Sequence, residues 1–174
     1  PWWEISLSVW EATNNVMVKT SASISVFPYQ ISSKSFPAPQ TIAINVIPFV
    51  LCVMPFVVVG AELGIAGCAA GDDEEKEKIL LILAGSSTLL STIMFAFMLQ
   101  VELLASPPAS YFFFGYPGRV PPYSLVPIPK VGIFSNGTST FEEVSINYSS
   151  YLSIGFWLTV IAAVVMLIAS RRHA

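Results

Sequence analysis

Charge is what this sequence has least of. Of its 174 residues, 11% are Asp, Glu, Lys or Arg and 54% are hydrophobic, whereas a soluble domain carries about 25% charged residues. That is too little charge to cover a surface facing only water. The eight basic residues sit in a chain of net charge −3 and form no basic patch, which excludes nucleic acid as a partner. Histidine occurs once, at His173, and cysteine twice, at Cys52 and Cys68. Both cysteines lie in one apolar stretch and read as small hydrophobes. No Ser/His/Asp or Cys/His arrangement, no Cys-x-x-Cys-His haem site and no disulfide framework can be assembled. A Gly-rich phosphate loop is missing too. The expectation is a chain that is not an enzyme, with no catalytic residue, metal or cofactor.

What the sequence has instead is long apolar runs. Residues 44–70 carry one charge, Glu62, and one other strongly polar residue, Asn45. This run exceeds the roughly 20 residues needed to cross a bilayer, and Pro48 and Pro55 should kink or tilt it. Residues 79–104 form a second candidate span. Ser86, Ser87, Thr88, Ser91 and Thr92 lie near its middle and Gln100 and Glu102 near its far end, and Pro107 and Pro108 stop it. Residues 151–170 form a third, uncharged one. Residues 71–78, Gly-Asp-Asp-Glu-Glu-Lys-Glu-Lys, read as a polar turn between two antiparallel helices, with acids suiting the next helix's N-terminus. Their spacing is not that of an EF-hand.

The two remaining segments read as β-rich. In 1–43, Glu4-Ile5-Ser6-Leu7-Ser8-Val9 alternates polar and apolar. After a turn at Thr13-Asn14-Asn15 the pattern resumes through Val16–Lys19 and Ser21–Val26, predicting a hairpin with a third strand near 29–32. Segment 105–150 is rich in Pro and aromatics, including Tyr111-Phe112-Phe113-Phe114-Gly115-Tyr116. Its Asn136-Gly137 pair predicts a hairpin turn, with a return strand near 140–146. Neither hairpin is stable alone, so the two are expected to pack on each other over the helix ends. The fold class expected is an antiparallel transmembrane α-helical bundle of three spans with a small extracytoplasmic β-rich region formed by two loops. Pro1 heads the chain and Trp2 and Trp3, suited to a membrane interface, follow. That leaves open a further helix upstream or a removed signal peptide.

Orientation follows from three signals. Arg171 and Arg172 directly follow the third run, and with His173 they make 171–174 a cytoplasmic tail. Asn136-Gly137-Thr138 and Asn147-Tyr148-Ser149 are glycosylation sequons in 105–150, so that loop is expected outside. An odd number of spans then puts 1–43 outside and 71–78 inside.

Glu62 is the most informative single residue, because an ionisable group within a span is costly and marks a functional hypothesis. It lies about 12 Å from the inner end of its helix. The same count back along the second span reaches Ser86, Ser87 and Thr88, and the expectation is that Glu62 faces Ser87 or Thr88. Gly60-x-x-x-Gly64 and Gly67-x-x-x-Gly71 allow close helix approach, and Ala84, Ser87 and Ser91 offer the second span's small face. Glu102 is expected to reach the headgroups or pair with Asn45.

A β-rich first exterior segment with Trp2, Trp3 and Trp10, an acidic inner turn, a second exterior loop and an inner C-terminus resemble the four-helix claudin layout, given one upstream helix. The exterior cysteine pair of that family has no counterpart here. The resemblance implies a surface adhesion or assembly role. The reading from the residues themselves is an accessory or structural subunit of a larger membrane assembly, partnered by lipid and by other subunits or copies of itself. A channel or transporter component using Glu62 is the third expectation.

Overall fold

The computed structural model describes residues 1–13, 16–35, 47–70, 73–105, 132–141 and 144–171. It is a mixed helix and sheet fold. The strands are β1 (Trp3–Thr13), β2 (Val16–Val26), β3 (Ile31–Ser35), β4 (Ser135–Phe141) and β5 (Val144–Leu152). The helices are α1 (Ile47–Cys52), α2 (Met54–Ala69), α3 (Glu74–Ala105) and α4 (Ile154–Ala169).

The strands form one antiparallel sheet in the order β3-β2-β1-β5-β4. The two hairpins, far apart in sequence, are thus joined through β1 and β5, which align Leu7 with Tyr148 and Trp3 with Leu152. Alternation decides the faces. Trp3, Ile5 and Leu7 are buried on one side while Glu4, Ser6 and Ser8 are partly exposed on the other. Ile24, Val26, Tyr148 and Ser150 continue the buried side.

That apolar face shares a single core with one end of the helices. Trp3, Ile5, Leu7, Ile24 and Val26 cluster with Phe49, Val53, Phe95, Leu99, Leu103 and Phe156. Each fully buried large side chain contributes roughly 1.5–3 kcal/mol. The Trp3 indole N–H donates to the Ile133 carbonyl at 3.0 Å, so the polar end of the largest buried ring is satisfied. Trp2 stacks edge-on against Phe95, with centroids 5.1 Å apart.

α1 and α2 together run Ile47–Ala69, 23 residues, and α3 runs 31 residues to Leu104; both are long and apolar enough to cross a membrane. The first is broken at Val53. Pro55 supplies the reason, since it has no amide to donate one turn back. α3 starts at Glu74, inside the segment expected to be turn. Asp73 caps it by accepting the Lys76 amide at 3.1 Å, and Glu74, Glu75 and Glu77 fill its first turn, where the helix dipole favours acids.

Three further boundaries differ from expectation. The third apolar helix covers 16 residues, about 24 Å, because β5 continues through Leu152. β3 lies two to three residues beyond 29–32, after a turn closed by the Phe27 amide on the Gln30 carbonyl. Asn136-Gly137 is not a turn: it lies inside β4, and the chain reverses between Phe141 and Val144. Gly137 sits opposite Tyr148, and a Cβ there would come within 3 Å of the ring. The glycine therefore serves a cross-strand aromatic contact rather than a turn.

Candidate functional site

The candidate surfaces are the faces of the helices and the outer face of the sheet. α3 lies between α2 and α4. Against α2, Gly60 meets Thr88, a Cβ added at Gly64 would lie 3.9 Å from the Ala84 methyl, and one added at Gly67 would lie 3.1 Å from Leu81. Ala84 and Ser91 are buried, Ser87 is half-buried. The Ser87 hydroxyl donates across to the Phe56 carbonyl at 2.9 Å. Ser91 and Thr92 donate within α3, to the Thr88 and Leu89 carbonyls, which satisfies mid-helix hydroxyls locally. Ser86 is exposed.

Glu62 does not meet Ser87 or Thr88. It is exposed, and no hydrogen bond or ion pair reaches it among the described residues. Helix geometry gives the reason. Residues two apart point about 200° apart around a helix. With Gly60 seated on Thr88, Glu62 must point away from α3. Glu62 lies between Gly60 and Gly64, which meet Thr88 and Ala84, and faces away from both.

Between α2 and α4, over Thr88, runs an apolar groove of about 530 Å³ whose walls include Val57, Gly64, Cys68, Ala162 and Met166. Near the sheet, Gln100 accepts the Ile133 amide at 3.4 Å, and Glu102 is half-buried. Asn45 and Gly71, expected to contribute to polar contacts and packing, lie outside the described residues, as do Tyr111–Tyr116, Arg172 and His173. Among the described residues no three His, Cys, Asp or Glu side chains gather as metal ligands would.

The outer face of the sheet is a lattice of small polar groups. Register aligns Asn136 with Ser149, and Ser149 with Ser6, then Ser6 with Ser23. The next row aligns Thr138, Asn147, Ser8 and Ser21. Asn136, Thr138, Asn147 and Ser149 are all exposed. Each sequon's hydroxyl residue therefore lies opposite the other sequon's asparagine, and Thr138 donates to the Asn147 side-chain oxygen at 2.7 Å.

Sequence reading missed two anchors. Gly85 lets α4 approach α3, since a Cβ there would lie 2.9 Å from the Ala163 carbonyl; a lone glycine inside an apolar run was the available signal. Ser150 is buried and bonds the Gly132 carbonyl at 2.8 Å and the Ser135 amide at 3.0 Å. No local pattern marks it. Compared with known proteins, the chain matches no family model, no curated protein and no solved structure.

Proposed function

We propose that this chain is a non-catalytic accessory or structural subunit of a multi-pass membrane assembly, with α1–α2, α3 and α4 spanning the bilayer and the sheet covering their extracytoplasmic ends. The observation that carries the reading is where apolar surface remains uncovered. Only 17% of the most apolar window of Ile47–Ala69, and 39% of that of Glu74–Leu104, is buried within the chain. A helix that apolar in a soluble protein would lie inside its core. Among the described residues, the exposed large apolar side chains lie on the helices except for Tyr29, Phe134 and Tyr151. Lipid is the environment that covers such faces at least cost. Tyr151 and Trp157, both near half exposed, lie at the sheet–helix junction, where headgroups favour amphipathic rings. The short α4 spans with its flanking residues and a local thinning of the bilayer, a modest cost per ångström.

A structural role is favoured because the ordered groups serve packing: glycines against helices, hydroxyls against carbonyls, and one sheet face against helix ends. Sodium carbonate extraction followed by native mass spectrometry from detergent tests it. The expected result is a carbonate-resistant chain recovered in a stoichiometric complex. Recovery in the soluble fraction, or only as a monomer with ion flux of its own in vesicles, would overturn it. The polar outer face of the sheet favours a second reading, adhesion or assembly at the cell surface in the manner of the claudin layout. Association of purified chains that depends on Ser6, Ser23 and Ser149 would favour that reading over the first.

A further inference from the structure

We infer that the face of α2 opposite α3 is the seat of a further transmembrane helix, not a copy of those in this chain, one that carries a basic side chain level with Glu62. The inference rests on the membrane reading above and names the chemistry of the partner.

Pro55, Val58, Glu62, Ala66 and Ala69 of α2 are all exposed. Their spacing of four and three residues makes one stripe along the helix, the repeat by which helices pack side by side. The stripe is apolar except at Glu62. It narrows to Ala66 and Ala69 beside the carboxylate, and small residues let a second backbone approach closely. Glu62 lies seven residues before the end of α2, about 10 Å inside it. Carboxyl groups at such depth almost always face a protein interior or a partner. Here α3 occupies the opposite side of the helix, so none of the described residues covers Glu62.

Charge complementarity then selects the occupant. No Lys, Arg or His occurs in residues 47–70, 79–105 or 154–169. The nearest basic residues along the helices, Lys76, Lys78 and Arg171, lie at the helix ends remote from the sheet. A second copy packed about a twofold axis would set Glu62 against Glu62, which like-charge repulsion disfavours. A helix bearing Lys, Arg or His at the matching depth forms a desolvated, charge-assisted pair instead.

The test uses the full chain, with a fluorescent donor fused at its C-terminus, in phosphatidylcholine vesicles. The probe is a synthetic Leu/Ala transmembrane helix of about 23 residues, with an acceptor label and one Lys level with Glu62. The control probe has Leu in place of that Lys. Energy transfer should show the Lys helix binding roughly tenfold or more tightly than the control. Glu62→Gln and Glu62→Leu should erase the difference while leaving the circular dichroism unchanged. Equal binding of the two probes, or a preference that survives Glu62→Gln, overturns the inference. So does transfer between copies of the chain that Glu62→Gln abolishes, since the occupant is then a second copy. Vesicle flotation separates the levels of failure. A chain that does not float refutes the membrane reading and this inference with it. A chain that floats and shows no Lys preference refutes the inference alone.

Discussion

At Gly60 a hydrogen atom is all the space allows. A methyl group there would collide with the Thr88 hydroxyl and lie 3.2 Å from its amide nitrogen. Gly60→Leu is therefore expected to destabilise the α2–α3 pair by about 1–3 kcal/mol, the usual cost of overpacking, read from unfolding in mixed detergent micelles. Gly60→Ala should cost less, and Thr88→Ala should recover part of that loss, because the two side chains compete for one volume. A Gly60→Leu variant as stable as the parent would show that the helices do not pack at this glycine. The same residue explains how Glu62 escaped a reading from sequence. Counting residues from the 71–78 turn gives height along a helix but not direction around it. Direction is set by whichever residue seats on the neighbour, and here Gly60 and Gly67 take that place. Their contacts with Thr88 and Leu81 could not be known before the helices were docked.

Elements were legible where one period governs a whole segment. Ile5, Leu7, Ile24 and Val26 alternate with serines, and the strands follow that alternation. The register between β1 and β5 was not legible, because it joins residues more than a hundred positions apart and depends on the core that both hairpins share. Asn136-Gly137 shows the limit of a dipeptide signal: the pair that favours a turn also suits a strand in which an aromatic ring from the neighbour covers the glycine. Trp3 is the element-scale keystone, fully buried and bonded to Ile133. Trp3→Ala should cost about 3–5 kcal/mol and loosen both hairpins together, so amide exchange should rise in β2 and in β5 alike. Exchange confined to β1 and β2 would mean the hairpins are not cooperative. The sheet also carries the glycan expectation. Asn136 and Asn147 lie on its outer, exposed face in adjacent register rows, so in a host with the transferase both should be modified. Enzymatic deglycosylation should shift the parent mass by two glycans, each single Asn→Gln variant by one, and the double variant by none. An unmodified parent in such a host would speak against an extracytoplasmic sheet.

For the whole molecule, the shared core sets the sheet at one end of every helix. Phe49 and Val53, early in the first helix pair, meet the sheet's cluster, as do Phe95, Leu99 and Leu103 late in α3 and Phe156 early in α4. The opposite end holds Asp73, Lys76 and Arg171. A bilayer crossed by these helices must therefore separate the sheet from the acidic turn, whichever way the chain is inserted. The proposed insertion puts the turn and Arg171 in the cytoplasm, on the strength of Arg171, Arg172 and the two sequons. Trypsin reads that choice directly, because it cuts after Lys and Arg. Residues 106–131, which follow in sequence the end of α3 that meets the sheet, supply Arg119 and Lys130, and the start of α3 supplies Lys76 and Lys78. On intact cells, cleavage is expected after Arg119 or Lys130 and not after Lys76 or Lys78. Permeabilised cells should add cleavage at the start of α3, and Lys76→Gln with Lys78→Gln should remove that added cleavage while sparing the outer cuts. Cleavage after Lys78 on intact cells, with Arg119 protected until the membrane is opened, would invert the molecule and place the sequons where no transferase reaches them.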